Sequence, residues 1–141
     1  MSSILYTGGT FDLFHYGHMQ FLQNCKRLAN TVIVSLNTDE FVENYKGKKP
    51  FLNFEERKKS ILMSGSAHEV IENSGGSDSK PAILSVRPNI IAIGTDWCKK
   101  DYYAQMNFTQ SWLDEKRILL VYLPYTANVS TTEIIKRVKN Y

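Results

Sequence analysis

Short apolar runs alternate along the chain with longer stretches in which apolar residues recur every three or four positions. Short runs rich in β-branched side chains are typical of buried strands, and the period of three to four is typical of helices. The apolar runs fall at residues 3–6, 31–36, 69–72, 89–93 and 118–122. This alternation predicts an α/β fold, a Rossmann-like three-layer sandwich with a five-stranded parallel sheet covered by helices on both faces.

Local end signals mark several of the helices. Four residues after the first strand recur at helical spacing, namely Met19, Leu22, Cys25 and Ala29. We expect Asn30 to cap that helix at its C-terminus. Residues 53–56 have the form of a capping box, which opens a helix that Gly65 would end. A second capping box, at residues 130–133, opens the last helix.

The chain has 141 residues, of which 43% are hydrophobic, so we expect one domain over residues 1–141 with a core of its own. The longest apolar run, residues 118–123, is far shorter than the ~20 residues that a membrane-spanning helix needs. The N-terminal residues lack the basic flank and the long apolar stretch of a signal peptide. We therefore expect a cytoplasmic protein with no membrane partner.

Charge and cysteine content exclude some functions. Seventeen Lys and Arg against fourteen Asp and Glu leave a net charge of +3. The basic residues are scattered rather than interleaved with aromatic ones, which fits a small anionic ligand better than nucleic acid. Cys25 and Cys98 lie far apart, with no C-x-x-C spacing, so neither a disulfide framework nor a zinc site is indicated.

The segment after the first strand, residues 7–18, carries the main functional signal. Gly8 and Gly9 let the backbone approach a ligand closely, and the helix that follows presents free N–H groups at its N-terminus. His15 and His18 are three residues apart, so they share one face of a first helical turn. Together these features favour a cradle for phosphate oxygens. A metal-binding pair is the alternative, but no third ligand of suitable type lies nearby in the sequence.

These residues resemble a known signature. Gly9-Thr10-Phe11-Asp12 followed by His15-x-Gly17-His18 resembles the motif of the H-x-G-H nucleotidyltransferase superfamily. The resemblance is to its cytidylyltransferase branch, and most of all to bacterial glycerol-3-phosphate cytidylyltransferases. It continues in the same order through residues 37–41, 56–58, 93–97, 122–124 and 130–134. It implies a single nucleotidyltransferase domain in which a phosphorylated small alcohol, with glycerol 3-phosphate as the first guess, attacks the α-phosphate of CTP and releases pyrophosphate.

The resemblance also implies roles for individual residues. The catalytic set is His15, His18, Lys46 and Arg57. The nucleotide-binding set adds to the two histidines Gly8, Gly9, Thr10, Phe11, Gly94, Asp96, Trp97, Thr126, Ser130, Thr131 and Thr132. The acceptor-binding set is Asp12, Asp39, Lys46 and Lys48. Structural alternatives stay open at this stage: Asp12 could orient the first loop, Trp97 could belong to the core, and Arg57 could be an exposed helix arginine.

The expected companions of the reaction follow from the same resemblance. Mg²⁺ should accompany CTP and screen its phosphates, although no carboxylate pair identifies protein ligands for it. A homodimer is expected, and nucleic acid is not expected as a partner. Two alternatives remain. One is an ATP-dependent adenylyltransferase of the same superfamily, which the H-x-G-H motif alone does not separate from a CTP-dependent enzyme. The other is a catalytically silent nucleotide-binding subunit, against which both histidines, both loop lysines and the Ser-Thr-Thr turn are present together.

The chain departs from the glycerol-phosphate pattern at three positions. Gly65 and Tyr125 stand where such members carry arginine. Asn128 stands where the pattern has a glycine, and asparagine can replace glycine in a left-handed backbone conformation. The loss of two cations leaves less positive charge to offset the repulsion between an acceptor phosphate and a triphosphate. We therefore predict weak use of glycerol 3-phosphate and a preference for another phosphorylated alcohol or sugar.

Overall fold

The computed structural model describes residues 2–95, 101–124, 126 and 129–141. Its strands form one parallel sheet in the order β3-β2-β1-β4-β5. The strands are β1 (Ile4–Gly9), β2 (Thr31–Leu36), β3 (Glu69–Glu72), β4 (Ile90–Gly94) and β5 (Leu119–Leu123). The helices are α1 (Tyr16–Lys26), α2 (Asp39–Lys46), α3 (Phe54–Met63), α4 (Lys80–Val86), α5 (Tyr102–Met106), α6 (Gln110–Lys116) and α7 (Thr131–Lys139). The predicted five-stranded α/β sandwich is confirmed.

The strand order places a functional crevice at the centre of the sheet. From β1 the chain moves outward through β2 to β3, and it then returns to the other side of β1 to form β4 and β5. In parallel sheets of this kind, ligands bind where the strand order reverses, beyond the C-terminal ends of the strands. Here that point lies between the ends of β1 and β4, at Gly9 and Gly94.

Side chains of the sheet alternate between two cores. Leu5, Val32 and Val34 face a core that contains α1 and α3, whereas Tyr6 and Ile91 face a second core with α4 and α6. Because successive residues of a strand point to opposite faces, the central strands β1, β2 and β4 are buried on both sides. Both cores hold the central strands rigidly, so the loops at their C-terminal ends have a fixed base.

One of the predicted helix ends differs from expectation. Helix α1 ends at Lys26 with Arg27 as its cap, so the prediction that Asn30 caps it was wrong. The Asn30 side chain instead accepts hydrogen bonds from the N–H and the hydroxyl of Ser3, at 2.9 and 3.1 Å, and thereby fixes the start of β1. The capping box at residues 53–56 is confirmed, and Gly65 follows the end of α3 with a positive φ of 71°.

Candidate active site

His15 and His18 cap helix α1 reciprocally. His15 precedes the helix, and its Nδ1 accepts a hydrogen bond from the N–H of Gly17 at 3.1 Å. His18 Nδ1 accepts from the N–H of His15 at 3.2 Å. The ring centroids lie 3.8 Å apart in a stacked arrangement. Two imidazoles thus take the places that Ser or Thr and Glu occupy in an ordinary capping box.

This arrangement fixes the protonation of both rings. Because each Nδ1 accepts a backbone N–H, the proton of the neutral ring must sit on Nε2, which becomes a donor. Burial lowers the pKa of His18 to about 3, with a further lowering by the nearby His15. Burial also lowers the pKa of His15 below its usual value. His15 Nε2 is buried, and it has no hydrogen-bond partner among the residues that the structure describes. At neutral pH the pair therefore offers two N–H donors rather than two cations.

Gly17 makes this packing possible. A Cβ at this position would lie 2.8 Å from Val129 Cγ1 and 2.9 Å from His15 Cε1, closer than real Cβ contacts allow. The glycine of the motif therefore lets the start of α1 press against both the His15 ring and the segment that leads into α7. As a result, the N-termini of α1 and α7 lie side by side.

His15 and His18 form one part of what we call the phosphate cradle, and the first turn of α7 forms the second part. The Ser130 hydroxyl accepts the N–H of Glu133 at 3.0 Å, the Ser130 half of the expected capping box. The Thr131 hydroxyl donates to the backbone carbonyl of Asp12 at 2.8 Å, which ties α7 to the loop after β1. Free N–H groups and the positive end of the helix dipole at this terminus favour an anion.

Asp12 orients the first loop. Its Oδ1 accepts the N–H groups of Leu13 and Leu52, both at 3.0 Å, and its Oδ2 accepts the N–H of Phe51 at 2.8 Å. The carboxylate therefore joins the loop after β1 to the segment before α3. These bonds support the alternative in which Asp12 orients the first loop. Asp12 also lines the wall of a cavity, so its role toward an acceptor substrate stays a prediction.

Arg57 and Asp39 form an ion pair with each other behind the phosphate cradle. The Arg57 side chain is 0% exposed, and its Nη2 donates to Asp39 Oδ1 at 2.6 Å. Its Nη1 donates to the carbonyl of Thr10 and its Nε to the carbonyl of Leu52, both at 2.9 Å. His18 lines two cavities of the described structure, and neither Arg57 nor Asp39 lines either of them. The structure thus places both residues in the scaffold of the site, and a direct role toward substrate stays a prediction.

A groove of about 700 Å³ opens between the segment after α2 and helix α7. Its inner end holds His18, Thr131 and Thr132. Its walls carry five lysines, Lys46, Lys48, Lys49, Lys136 and Lys139. We call it the lysine groove. Asp12 is the only acidic residue in its described wall, and both of its carboxylate oxygens already accept backbone N–H groups. The groove is therefore strongly positive.

Two further cavities adjoin the loop after β1. A small cleft of about 140 Å³ is lined by Gly8, Gly9 and Gly94 together with His18. A chamber of about 570 Å³, which we call the polar chamber, lies over the ends of β1, β2 and β3 and is closed by α2 and α5. The polar chamber shares Thr10 and Lys46 with the lysine groove. These two residues therefore stand between the two spaces.

The structure brings most of the predicted site residues together around these cavities, but His15 and Ser130 line none of the three and lie beside them as the caps of α1 and α7. Phe11 and Lys48 line the lysine groove with the residues named above. Thr126 lies on the outer side of α1, where its hydroxyl donates to Gln20 Oε1 at 2.8 Å. Five positions named in the sequence-based predictions lie outside the described residues, namely Asp96, Trp97, Cys98, Tyr125 and Asn128.

Several lining residues were missed by the sequence analysis. Lys136 and Lys139 follow Thr132 at helical spacing, so a signal for them existed once Thr132 was placed in the site. Lys49 sits beside the predicted Lys48. Asn37 and Asn73 of the polar chamber lie just after β2 and β3, at the edge of the sheet where ligands collect.

The described residues contain no group of three or more His, Cys, Asp or Glu side chains that could hold a metal ion. They also contain no helix that is both long enough and apolar enough to cross a membrane.

Two helix N-termini meet at the crevice of a doubly wound sheet beside paired imidazole donors, and this geometry defines a class, the α/β proteins that bind nucleotide phosphates. The chain belongs to the cytidylyltransferase-like family, whose family model matches residues 6–137. The predicted branch of the superfamily is thereby confirmed.

Relatives and solved structures agree with this membership. A glycerol-3-phosphate cytidylyltransferase of Bacillus spizizenii is 36% identical over 130 residues, which cover 92% of this chain and 92% of that protein. An FAD synthase of Pyrococcus abyssi is 30% identical over 131 residues, or 93% of this chain and 88% of that protein. A lipopolysaccharide core biosynthesis protein of Thermoplasma volcanium has the same fold, with a TM-score of 0.73 at 24% identity over 89% of this chain and 99% of that one.

Proposed function

We propose that the protein is a cytidylyltransferase that transfers the cytidylyl group of CTP to a phosphorylated small alcohol. An oxygen of the acceptor phosphate forms a bond to the α-phosphorus of CTP. The bond between the α-phosphorus and the oxygen bridging to the β-phosphate breaks, and pyrophosphate leaves. The observation that carries this proposal is the pair of Nε2 donors on His15 and His18, held beside the N-terminus of α7.

The chemistry needs little from the protein except position and charge. The second ionisation of a phosphate monoester has a pKa of about 6, so the nucleophile is already an anion and no general base is required. Negative charge on the reacting phosphates increases in the transition state, and preorganised donors lower the barrier by stabilising it. His15 and His18 are such donors, because their tautomers are fixed before the substrate arrives.

The lysine groove supports a place for the β- and γ-phosphates. On α7, Thr132, Lys136 and Lys139 share one helical face, which leads from the cradle outward along the groove. Three more lysines face them, Lys46 at the end of α2 and Lys48 and Lys49 in the segment that follows it. Because the histidines are neutral and Arg57 is paired with Asp39, these lysines supply the formal positive charge of the site. We place the leaving pyrophosphate in this groove.

Mg²⁺ belongs to the proposal through the nucleotide. The described residues offer no cluster of carboxylates for it, whereas phosphate oxygens are its preferred ligands in many nucleotide sites. Bound in that way, Mg²⁺ would enter with CTP and neutralise part of the triphosphate charge. The residues that adjoin the phosphates would then be the threonines and lysines of the groove.

A second candidate function has a specific observation in its favour. The chain is 30% identical to an FAD synthase, and FAD contains an adenine nucleotide. An ATP-dependent adenylyltransferase therefore remains the alternative, since the phosphate cradle does not contact the base.

Thermal unfolding with each of CTP, ATP, GTP and UTP in the presence of Mg²⁺ separates these functions. A ligand at a hundred times its Kd stabilises the fold by about 2.7 kcal/mol, and only the true donor should do so. We expect the melting temperature to rise with CTP. A rise with ATP alone would contradict the choice of CTP and favour the adenylyltransferase.

Pyrophosphate release with Mg²⁺ and a panel of phosphorylated acceptors then tests catalysis. Turnover that depends on the acceptor is expected. Binding of CTP without turnover on any acceptor would favour the catalytically silent subunit instead.

We also propose that the protein is a homodimer in the cytoplasm. The support for a homodimer is the resemblance to bacterial glycerol-3-phosphate cytidylyltransferases. The most exposed apolar side chains do not add to it, because Met63 lies on α3, which contacts β3, whereas Leu119 lies on β5 at the opposite edge of the sheet. Light scattering at micromolar concentration tests the assembly, and a monomeric mass would count against it.

A further inference from the structure

The lining of the polar chamber restricts which acceptor substrate can bind, whereas the phosphate cradle contacts only phosphate groups. It lies on the opposite side of Thr10 and Lys46 from the lysine groove. A ligand phosphate near these two residues could therefore extend its organic part into the chamber while the triphosphate occupies the groove. The volume of about 570 Å³ falls within the range of ~300–1,000 Å³ that is typical of small-molecule sites.

The chamber is lined by neutral groups. Among its described lining residues, Lys46 is the only charged side chain, and it stands at the end nearest the cradle. Aromatic rings from α2 and α5, Phe41, Tyr45 and Tyr102, supply apolar surface. A cationic group bound here would meet aromatic faces but no carboxylate in the described wall, and the like charge of Lys46 would oppose its binding.

A chain of hydrogen bonds fixes the orientation of one amide in the wall. Asn37 Nδ2 donates to the Thr10 hydroxyl, and Asn73 Nδ2 donates to Asn37 Oδ1, both at 3.0 Å. Asn73 Nδ2 also donates to the carbonyl of Gly76 at 3.0 Å. Because both N–H groups of Asn73 Nδ2 donate to oxygens, an exchange of Nδ2 and Oδ1 by rotation of the amide would break both hydrogen bonds.

As a consequence, the side-chain oxygen of Asn73 receives no hydrogen bond from a described residue. Asn73 is only 9% exposed, and its Oδ1 has no hydrogen-bond partner among the described residues. A buried polar atom left unsatisfied costs about 1–3 kcal/mol, so such atoms in native structures commonly await a ligand or a water. A hydroxyl group in the chamber would supply the missing donor.

We propose that the polar chamber binds the hydroxyl-rich, uncharged part of the acceptor, and that Asn73 Oδ1 accepts a hydrogen bond from one of its hydroxyl groups. This inference rests on the proposed cytidylyltransferase function and deepens it. The acceptor class is a phosphorylated polyol or sugar of roughly five to seven carbons, large enough to occupy a site of this size. Glycerol 3-phosphate has hydroxyl groups but would leave much of the chamber filled with water. Asn73 and the Thr10–Asn37 pair that orients it thus determine specificity.

Pyrophosphate release with saturating nucleotide tests the inference on four acceptor types. They are phosphorylated five- to seven-carbon polyols and sugars, glycerol 3-phosphate, the cationic phosphocholine and phosphoethanolamine, and the flat aromatic FMN. We expect the highest kcat/KM with a member of the first type. A highest value with any of the other three would overturn the inference and leave the proposed transferase function in place. Absence of turnover with all of them would overturn both.

Variants then locate the effect. Asn73→Leu should raise the KM for the preferred acceptor about tenfold, the equivalent of one hydrogen bond of about 1.4 kcal/mol. The KM for the nucleotide should stay within about twofold, since Asn73 does not line the lysine groove. The control is Gln23→Leu, which removes an exposed amide from α1 away from the described cavities.

A second variant covers the case in which Asn73→Leu fails to fold. Asn37→Asp keeps the oxygen that accepts from Asn73 but loses the donor to Thr10. It should weaken the discrimination between the preferred acceptor and glycerol 3-phosphate, with circular dichroism unchanged. If either folded variant has unchanged acceptor KM values, or an equal loss toward every acceptor and the nucleotide, the assignment of Asn73 is wrong.

Discussion

Arg57 Nη2 lies 2.6 Å from Asp39 Oδ1, and this ion pair joins the first turn of α2 to the first turn of α3. The other donors of the guanidinium hold the carbonyls of Leu52 and Thr10. Thr10 lies between the lysine groove and the polar chamber. One buried cation therefore supports the wall that separates the two spaces without reaching either of them.

Arg57→Met should destabilise the fold more than it changes the chemistry. The substitution leaves the Asp39 carboxylate and two carbonyls without their donor, and removal of one member of a buried pair typically costs about 3–5 kcal/mol. Urea unfolding measures the loss, and Lys59→Met is the control because Lys59 is exposed on the same helix. Full stability combined with a large rise in the KM for nucleotide would instead assign Arg57 to substrate binding.

The histidine pair can be tested by separating capping from catalysis. His15→Ala and His18→Ala should each lower kcat by about 10²–10³-fold with the fold intact, as for loss of one preorganised donor. His15→Asn should retain a side-chain acceptor for the start of α1, because asparagine is a good N-cap, but it should lose the Nε2 donor. We expect His15→Asn to unfold near the wild-type temperature and to remain nearly inactive.

Tyr16→Phe is the control for these variants, since Tyr16 lies between the two histidines and is 57% exposed. Near-normal turnover in either alanine variant would contradict the phosphate-cradle proposal.

The lysines of α7 should contribute to nucleotide affinity in a salt-dependent way. Lys136→Ala and Lys139→Ala should each weaken CTP binding about two- to fivefold at low salt, in keeping with exposed charges. The loss should shrink at high salt, because screening reduces the interaction that each substitution removes. Calorimetric titration at two salt concentrations provides the measurement. Arg137→Ala on the same helix is the control, as Arg137 lies outside the described wall of the groove.

The neutral histidines predict how stability changes with pH. The unfolded chain binds a proton at each histidine near pH 6.5, whereas burial keeps His18 neutral in the fold down to about pH 3. Between these pH values the unfolded state holds more protons, so stability must fall as the pH falls. The slope for His18 should reach about 1.4 kcal/mol per pH unit. Urea unfolding at pH 7.5 and pH 5 measures it, and His18→Ala should flatten the dependence. An unchanged slope in that variant would show that His18 is not the group responsible.

Much of the fold could be predicted because its signals are local. β-branched runs marked the five strands, and the capping box at Asn53 marked the start of α3. Strand β1 continues to Gly9, beyond the predicted end at residue 6, because Gly8 and Gly9 pair with Ser35 and Leu36 through their backbones. Glycine carries no side-chain pattern, so composition could not reveal this extension.

The site was predicted only as far as its first motif reaches. The spacing of His15 and His18 indicated a shared helical face, but the reciprocal Nδ1 bonds depend on the rotation of both rings. The identity of Arg57 did not show whether it points to solvent, to substrate or into the fold. Lys136 and Lys139 enter the groove only through the way α7 lies across it, which is a tertiary relationship.

The reciprocal cap on α1 also determines where protons go when a nucleotide binds. Both Nδ1 atoms are already occupied by backbone N–H groups, and both rings are neutral well above pH 6.5. An incoming phosphate therefore meets donors that are already protonated at Nε2, and the rings need take up no proton from solution. The calorimetric heat of CTP binding at pH 8 should then be the same in buffers of different ionisation enthalpy.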